Sequence, residues 1–567
     1  MPNHLIHEQL SGSDPMDVKR IVLFSSLALV AYLLIIQWNQ DYHQTEVQVR
    51  APDIQHITPD QPQGDAAADD SILAFSAPQT QEVLTAPQQQ QRLVRVATDT
   101  LDVRINTRGG DIVFAALLQH RARLNSDDPF VLLQDDDLRH YIVQSDVSGL
   151  GNQQRVQLVP DQYEYILNDG DDQLEVVMRG EVNGVEVAKI FTFSRQSHLI
   201  DVRYELNNTT EQTFQPSFVG LIKRDSSPDP SQGEFLGMSA YLGGAFSTQE
   251  TRYQKVSFSD IQRESFRESS QGGWAAMLQH YFISAWIPQP DETSLFSSRA
   301  DRQGNNIIGF RGQEQLLAPG QNLTLAAQTF IGPKVQSEMK QVAQHLDLTV
   351  DYGWLWFIAQ PLFWLLNWFY GFVANWGVAI ILVTLVIKLA FFKLSATAYR
   401  SMANMRRVAP KLQRIKEEAG DDRQKLSQAM MELYRKEKIN PMGGCLPILV
   451  QMPVFIALYW MLLESVELRH APFMLWIADL SMKDPYFVLP ILMGVSMYLQ
   501  QLLNPTPPDP MQAKIMKMLP IIFTFFFLFF PAGLVLYWLV NNLLSILQQW
   551  YITHKIEKEE ALKTAKS

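Results

Sequence analysis

One lysine stands inside a long apolar stretch of this sequence, where a charged side chain is costly. The stretch runs from Asn375 to Arg400 (NWGVAIILVTLVIKLAFFKLSATAYR), and Lys388 lies near its middle. A straight helix rises about 1.5 Å per residue, so Lys388 would lie roughly 18 Å from Trp376, at the centre of a bilayer. An ammonium at that depth costs about 2.5–3.5 kcal/mol on insertion scales, and such residues usually face a bundle interior or a water-filled cavity. The sequence therefore predicts a hydrated groove in a helix bundle, with Lys388 as its charge.

Two neighbouring residues bear on this prediction. Thr384 precedes Lys388 by one helical turn and adds a hydroxyl to the same face. The alternative is that the long lysine stem lifts its ammonium toward the headgroups. Lys393 lies closer to the membrane edge and is the more natural residue for that role. We therefore favour a Lys388 that faces the groove.

The length and charge of the chain predict two kinds of domain. The sequence has 567 residues and a net charge of −12, and most of the excess acid lies between Asp41 and Val350. An acidic chain of this kind does not favour nucleic-acid binding. Cys445 is the single cysteine, which excludes an intrachain disulfide, a CxxC redox pair and a thiolate metal site.

The first 91 residues read as an anchor and a tether. An apolar run, Ile21–Ile36, follows Lys19 and Arg20, and it is either a cleaved signal peptide or an uncleaved anchor. No small-residue cleavage site follows the run, so we predict an anchor within residues 1–40 with a cytoplasmic N-terminus. Residues 41–91 are rich in Gln, Pro, Asp and Ala, which is typical of a flexible tether.

Residues 92–346 show the alternation of half-buried strands. Apolar residues recur at every second position in LEVVMRGEVNGVEVAKIFTF and HLIDVRYELNN, which predicts an antiparallel β-sandwich. Asn183-Gly184 lies between two such runs and fits a type I′ hairpin turn. Val335–Leu346 resembles a short helix. The histidines are scattered without catalytic or metal-ligand spacing. The sandwich is therefore predicted to be a binding or spacing module and not an enzyme domain.

The remaining chain alternates apolar and charged blocks. Residues 347–374, rich in Trp and Phe, favour an amphipathic helix in the interface, and the charged residues 400–440 favour a cytoplasmic helical hairpin. Three more apolar stretches follow. They are Leu446–Leu463, Tyr486–Leu503 and Leu519–Leu547, the last divided at Pro531-Ala532-Gly533 into two spans.

The basic residues predict the orientation of these spans. With six spans, the basic clusters all fall on one side, so both termini are cytoplasmic and the sandwich is exported. The core is then residues 375–552, with a short cytoplasmic tail at 553–567. Only about 20 Å of helix separates Lys517 from Pro531, which would thin a hydrocarbon layer of roughly 30 Å. Such thinning favours the passage of polar chain.

Several long motifs carry a resemblance to a known family. They are NPMGGCLPILVQMPVFIALYWMLLESVELRHAPFMLWIADLS, DPYFVLPILMGVSMYLQQ, DPMQAKIMKMLPIIFTFFF and FPAGLVLYWLVNNLLSILQQ. In these motifs the chain resembles the YidC membrane protein insertases, in the long form of Gram-negative bacteria. MDVKR at Met16 also resembles the usual start of the family, which implies that Met1–Pro15 is either an extension or the result of a mis-called start.

The resemblance implies a function and its partners. An insertase of this family acts on nascent membrane proteins in the bacterial inner membrane, alone or beside the Sec translocon, with no ATPase or hydrolase activity and no cofactor or metal. The ribosome and the signal recognition particle pathway are the further partners implied, together with the lipid bilayer. The large domain is then periplasmic.

The resemblance also implies site residues. Lys388 occupies the position of a groove arginine, and lysine keeps the charge but loses the planar fork that grips a carboxylate. Thr384 and Trp538 match substrate-contacting positions, while Gln451, Asn541 and Asn542 are added on spacing alone. The predicted groove comprises Lys388, Thr384, Gln451, Tyr537, Trp538, Asn541 and Asn542, and the predicted hydrophobic slide comprises Cys445, Leu446, Pro447 and Phe455.

Two alternatives come from other classes of protein. A small-solute transporter also places a lysine in the membrane, but the chain shows no convincing internal repeat. The second alternative makes the exported sandwich a carbohydrate-binding or carbohydrate-modifying domain on an anchor. The resemblance implies a sugar-binding type of fold there, and fold alone does not give function.

Overall fold

The computed structural model describes residues 93–151, 155–231, 240–420, 422–437, 446–504 and 510–564. The predicted anchor in residues 1–40, the predicted tether at 41–91 and the slide residue Cys445 lie outside the described residues. Apart from residues 240 and 241, the described residues belong to one compact unit, in which the β-domain and the helices contact each other directly.

The β-domain has two sheets that share one hydrophobic core. One sheet has the strand order β14-β17-β18-β11-β5-β4-β3-β2-β1-β7, and the other has the order β13-β12-β15-β16-β19-β10-β9-β8-β6. The strands are β1 (Leu93–Ala97), β2 (Leu101–Asn106), β3 (Ile112–Arg121), β4 (Pro129–Asp135), β5 (His140–Ser148), β6 (Val159–Pro160), β7 (Glu164–Ile166), β8 (Gln173–Val182), β9 (Val185–Ser194), β10 (Leu199–Asn208), β11 (Ser217–Arg224), β12 (Gly243–Ser247), β13 (Gln254–Ser257), β14 (Arg267–Gln271), β15 (Trp274–Leu278), β16 (Phe282–Pro288), β17 (Thr293–Ala300), β18 (Asn306–Arg311) and β19 (Asn322–Pro333).

The sequence pattern explains which side chains form that core. In β10, Ile200, Val202, Tyr204 and Leu206 are buried at every second position, as the alternation predicted. The described pairings are antiparallel except β1 with β7, which is parallel. The predicted antiparallel sandwich is therefore confirmed.

The Asn-Gly turn has the predicted conformation. Asn183 and Gly184 connect β8 to β9 with φ angles of 50° and 81°. Positive φ at both central residues defines a type I′ turn, whose twist matches the flanking strands. The short helix predicted after the last strand is also present.

The helices follow the blocks predicted from the sequence. They are α1 (Phe258–Arg263), α2 (Gln336–Val342), α3 (Trp356–Val373), α4 (Trp376–Ala390), α5 (Phe392–Ala419), α6 (Arg423–Lys436), α7 (Leu446–Glu464), α8 (Val488–Leu502), α9 (Pro510–Phe527) and α10 (Ala532–Thr564). Helices α5 and α6 form the predicted hairpin, which turns at Gly420 with a φ of 55°.

The prediction of one straight helix from Asn375 to Arg400 is wrong. Helix α4 ends at Ala390, Phe391 lies outside both helices, and α5 continues at an angle of 67°. Sharp bends in helices usually occur at proline or glycine, and neither residue lies near this break. Lys388 therefore lies in the last turn of a short helix and not at the centre of a long one.

The length and apolarity of the described helices bear on whether they can cross a membrane. Taken singly, none of them is both long enough and apolar enough, whereas α4 and α5 meet that requirement as a bent pair.

Close packing of two strands gives a test of the sandwich. Gly309 in β18 is paired with Leu221 in β11, and a Cβ atom added at Gly309 would lie 2.0 Å from the carbonyl oxygen of Gly220. Gly312 lies just beyond the same strand, and its nearest atom to an added Cβ is 3.5 Å away. Only the first glycine is required by a backbone contact.

We therefore expect Gly309→Ala to lower the free energy of unfolding of the β-domain by about 1–3 kcal/mol, because the two strands must separate to admit the methyl group. Gly312→Ala is the matched control and should change it little. The measurement is thermal unfolding of the purified full-length protein, read from the protease resistance of the sandwich. Equal midpoints for the two variants would contradict this packing.

Candidate functional site

Helix α10 carries a stripe of polar side chains through an otherwise apolar sequence. The polar stripe consists of Asn541, Asn542, Ser545, Gln548 and Gln549, and spacings of three and four residues place them along one side of the helix. Asn542, Ser545, Gln548 and Gln549 are each at most 9% exposed. Buried amide and hydroxyl groups are costly without partners, so the neighbouring helices must supply them.

Each member of the polar stripe bonds to a partner from another part of the bundle. Gln451 Nε2 in α7 donates to Asn541 Oδ1 (2.7 Å), Asn542 Nδ2 to Ser496 Oγ in α8 (3.3 Å), Lys388 Nζ in α4 to Ser545 Oγ (2.7 Å), Gln548 Nε2 to the Phe392 carbonyl in α5 (3.3 Å), and Gln549 Nε2 to the Leu503 carbonyl just after α8 (3.1 Å). The stripe thus fixes α10 against four other helices.

Lys388 is buried, and its ammonium bonds to a neutral group. The residue is 8% exposed, and Nζ donates to Ser545 Oγ, which in turn donates to the carbonyl oxygen of Asn541 (2.7 Å). In the part of the chain that the structure describes, no acidic side chain forms an ion pair with it. Its place in the last turn of α4 is favourable, since the carbonyl end of a helix attracts cations.

The surroundings of Lys388 separate the two interpretations of this lysine. Ile380, Thr384 and Lys388 follow one another at four-residue spacing and are all buried. The Lys388 ammonium bonds to the neighbouring helix inside the bundle, whereas Lys393 lies beyond the bend with an exposed side chain. Lys388 therefore faces the neighbouring helix inside the bundle, and its place in a groove stays a prediction.

Thr384 lies one turn from Lys388 but uses its hydroxyl within its own helix. It is 1% exposed, and Oγ1 donates to the carbonyl oxygen of Ile380 (2.7 Å). Such a bond satisfies the donor and leaves the oxygen able to accept one more hydrogen bond.

The predicted aromatic groove residues pack against the predicted slide. The ring of Phe455 in α7 lies edge-on to Trp538, with centroids 4.5 Å apart, and 6.2 Å from that of Tyr537. Phe527 in α9 contacts Trp538 from another side at 5.4 Å. Trp538 Nε1 is buried and has no hydrogen-bond partner among the residues that the structure describes.

Two slide residues are described only by their backbone. Leu446 and Pro447 form the first turn of α7, which continues to Glu464 with Pro453 inside it. Their helix therefore carries both Gln451, which bonds to the polar stripe, and Phe455, which packs on Trp538.

One end of α10 is closed by the segment that joins α7 to α8. The N–H groups of Ala532 and Gly533 at the start of α10 donate to the carbonyl oxygens of Met482 (2.7 Å) and Leu480 (2.9 Å). These bonds satisfy donors that a helix start leaves free. The polar stripe begins nine residues later, about 14 Å along the helix. The polar part of the site therefore lies away from the capped end.

Sequence reasoning missed four of the polar residues. Ser545, Gln548 and Gln549 were not selected, nor was Ser496, although the first three stand at helical spacing from Asn541 in NNLLSILQQ. That spacing could have identified them. Ser496 in α8 has no comparable signal, because its role depends on which helix packs against α10.

One buried lysine of the sandwich forms its hydrogen bonds within the sandwich. Lys189 is fully buried, and its Nζ donates to the carbonyl oxygens of Gly109 (2.9 Å) and Gly110 (2.7 Å). Burial lowers the pKa of Lys189 to about 7. Among the described residues, no three His, Cys, Asp or Glu side chains are placed to hold a metal ion.

Comparisons with known proteins agree across the chain. The family described as 60Kd inner membrane protein matches residues 368–559, and the family described as YidC periplasmic domain matches residues 93–365. Among solved structures, an active YidC insertase with its first transmembrane domain resolved shares 18% identity and a TM-score of 0.36, over 82% of this chain and 93% of that one.

Two curated relatives are similar over nearly their whole length. The membrane protein insertase YidC of Stutzerimonas stutzeri (strain A1501) is 52% identical over 550 residues, which is 96% of this chain and 99% of the relative. That of Azotobacter vinelandii (strain DJ / ATCC BAA-1303) is 50% identical over 556 residues, which is 96% of this chain and 100% of the relative. The chain therefore belongs to the YidC family of membrane protein insertases.

Proposed function

We propose that the chain moves segments of nascent membrane proteins from the cytoplasm into the inner membrane through a groove lined by Lys388, the polar stripe and the aromatic rings around Trp538. The observation that supports this most directly is the buried ammonium of Lys388, which bonds to a serine hydroxyl and, within the described part of the chain, to no carboxylate. The mechanism requires neither a catalytic residue nor a cofactor.

A buried ammonium without an acidic partner attracts acidic groups of a client. In a low-dielectric site two opposite charges interact more strongly than in water, and an ion buried alone is costly. A client carboxylate that reaches Lys388 reduces that cost. Lysine attracts as a point charge and does not grip both carboxylate oxygens as arginine does, so binding is transient and tolerant of geometry.

The apolar part of the client then leaves along α7. Phe455 lies on this helix beside Trp538, so a client segment passing Lys388 meets aromatic surface next. Each apolar side chain that enters lipid contributes about 1.5–3 kcal/mol, and a client helix carries many of them. The attraction to Lys388 is a single charge pair, and the desolvation of the two charges offsets much of its Coulomb energy. The free energy gained when a whole client helix enters lipid is therefore larger than the free energy lost when the client leaves Lys388.

The proposed orientation places the groove toward the cytoplasm. Six spans, counting the anchor in residues 1–40 and five in residues 375–552, put both termini and the hairpin in the cytoplasm and residues 92–346 in the periplasm. The positive-inside rule supports this arrangement. The interfacial segment is then 347–374 and the tail 553–567.

The hairpin of α5 and α6 is the proposed cytoplasmic contact surface. Lys411 Nζ pairs with Glu437 Oε1 across the hairpin (2.6 Å), and Arg406 donates to the carbonyl oxygen of Leu503, just after α8. The hairpin is thus joined to the helix that meets the polar stripe. We propose that the ribosome, the signal recognition particle pathway and Sec translocon subunits act beside this groove.

The charge of Lys388 is tested by two substitutions. We expect Lys388→Ala to reduce insertion of a single-span client with an acidic translocated tail at least threefold, because the attraction is lost, and Lys388→Arg to retain it. The measurement is client insertion in a depletion strain complemented with each variant. Lys393→Ala is the matched control, since that lysine is exposed in the neighbouring helix. Equal insertion by Lys388→Ala and Lys388→Arg would defeat the charge role.

A second test asks whether Gln451 and Asn541 line the groove or only hold α7 to α10. Gln451→Leu or Asn541→Leu alone leaves a polar partner without its hydrogen bond, while the double variant removes both partners. We expect a coupling free energy of about 0.5–3 kcal/mol in thermal unfolding, with the double variant less destabilised than the sum of the single variants.

Insertion by the same double variant distinguishes the two roles. If the amides line a route for polar chain, insertion falls even though stability is regained. Wild-type insertion by the double variant would show that this pair only holds α7 to α10.

A further inference from the structure

A buried ion pair joins the sandwich to α7, the helix that carries the predicted slide residues. Lys334 follows β19, the last strand, and Glu464 is the last residue of α7. Lys334 Nζ lies 3.1 Å from Glu464 Oε2, and the two side chains are only 4% and 5% exposed. Lys334 also donates to the carbonyl oxygen of Thr349 (3.4 Å). Each of these two charges is buried away from water and is costly without the other. The pair therefore fixes the sandwich relative to the end of α7.

A histidine of the sandwich binds the same turn of α7. His280 Nε2 lies 2.9 Å from the carbonyl oxygen of Leu463, which can only accept, so Nε2 donates. The backbone N–H of His280 in turn donates to Asp229 Oδ2 (2.7 Å). The final carbonyl groups of a helix lack partners inside the helix and carry partial negative charge. Lys334 and His280 thus bind the one end of α7 that favours donors and cations.

The residues that follow α7 continue the attachment. Val466 is 3% exposed and forms part of the sandwich core. The Arg469 guanidinium lies over the rings of Phe130 (5.3 Å) and Phe282 (5.5 Å) and donates to the carbonyl oxygen of Ala122 (3.1 Å). This contact therefore extends along several residues and does not depend on one pair alone.

The other part of α7 reaches the groove. Gln451 bonds to Asn541, and Phe455 packs on Trp538. Glu464 is 13 residues from Gln451 in the sequence, which is about 20 Å of helix. Fixing one end of such a helix restricts where its other residues lie against α10.

We propose that the exported sandwich is a positioning element for insertion, in which Lys334 and His280 hold the outer end of α7 and thereby place Gln451 and Phe455 against α10. This inference rests on the proposed function of the groove. It assigns the sandwich a role besides spacing or ligand binding. Apolar residues of similar size would join the two surfaces at least as stably, whereas an ion pair and a directed hydrogen bond specify one geometry.

The experiment measures the position of α7 and insertion separately. Full-length protein carrying Cys445→Ser, Gln451→Cys and Asn541→Cys is reconstituted in liposomes, and its crosslinking rate with a short bifunctional thiol reagent reports the spacing of α7 and α10. Insertion of a single-span client is measured in otherwise unaltered chains. Both are repeated with Lys334→Ala, with Lys334→Arg, and with the reversed pair Lys334→Glu and Glu464→Lys.

The expected result is a crosslinking rate and an insertion yield at least threefold lower in Lys334→Ala, with both restored by Lys334→Arg and by the reversed pair. Lys340→Ala is the matched control, because its contact with Asp347 is long (3.8 Å) and the lysine is 57% exposed. Unchanged crosslinking in Lys334→Ala, with or without loss of thermal stability, would overturn the positioning role. Slower crosslinking with normal insertion would overturn it as well. Since crosslinking needs no client, its outcome is independent of whether Lys388 attracts carboxylates.

Discussion

The packing of the helix bundle depends on hydrogen-bond partners for the polar stripe of α10, a row of polar side chains in an otherwise apolar helix. Amides and hydroxyls inside a bundle are costly unless paired, so the polar stripe of α10 restricts which neighbours can pack there and at what height. Gln451 meets Asn541, Ser496 meets Asn542, and Lys388 meets Ser545. Hydrophobic packing alone would allow these helices to slide, and directed hydrogen bonds do not.

The same constraint produces a site suited to polar cargo. A bundle with only apolar contacts offers no partner to a charged or amide-rich segment, whereas this one holds an ammonium, several amides and a buried indole N–H within one region. The bend after Ala390 brings Lys388 to a helix end, where the carbonyl groups favour its charge. In the proposed mechanism, polar chain is attracted at Lys388 and apolar chain is released along Phe455.

Local patterns were readable from the sequence, and long-range pairings were not. Strand alternation and the Asn183-Gly184 turn depend on neighbouring residues, and both are confirmed. The bend at Phe391 lies away from any proline or glycine, so the local sequence gives no sign of it. Gln451 and Asn541 are predicted from spacing alone, and the structure brings them together. The same spacing would also have identified Ser545, four residues after Asn541. The contact of Lys334 with Glu464 joins residues 130 positions apart, beyond any single-sequence pattern.

Photo-crosslinking of a stalled client tests the central claim most directly. A photoreactive residue at position 384, beside Lys388, and one at Leu499, whose side chain is 49% exposed on α8, would compare the groove with the outer surface. The account predicts that an acidic client tail forms adducts mainly at position 384 and that replacing its carboxylates by amides reduces those adducts severalfold. Adducts that are equal at both positions, or that do not change when the carboxylates are removed, would contradict it.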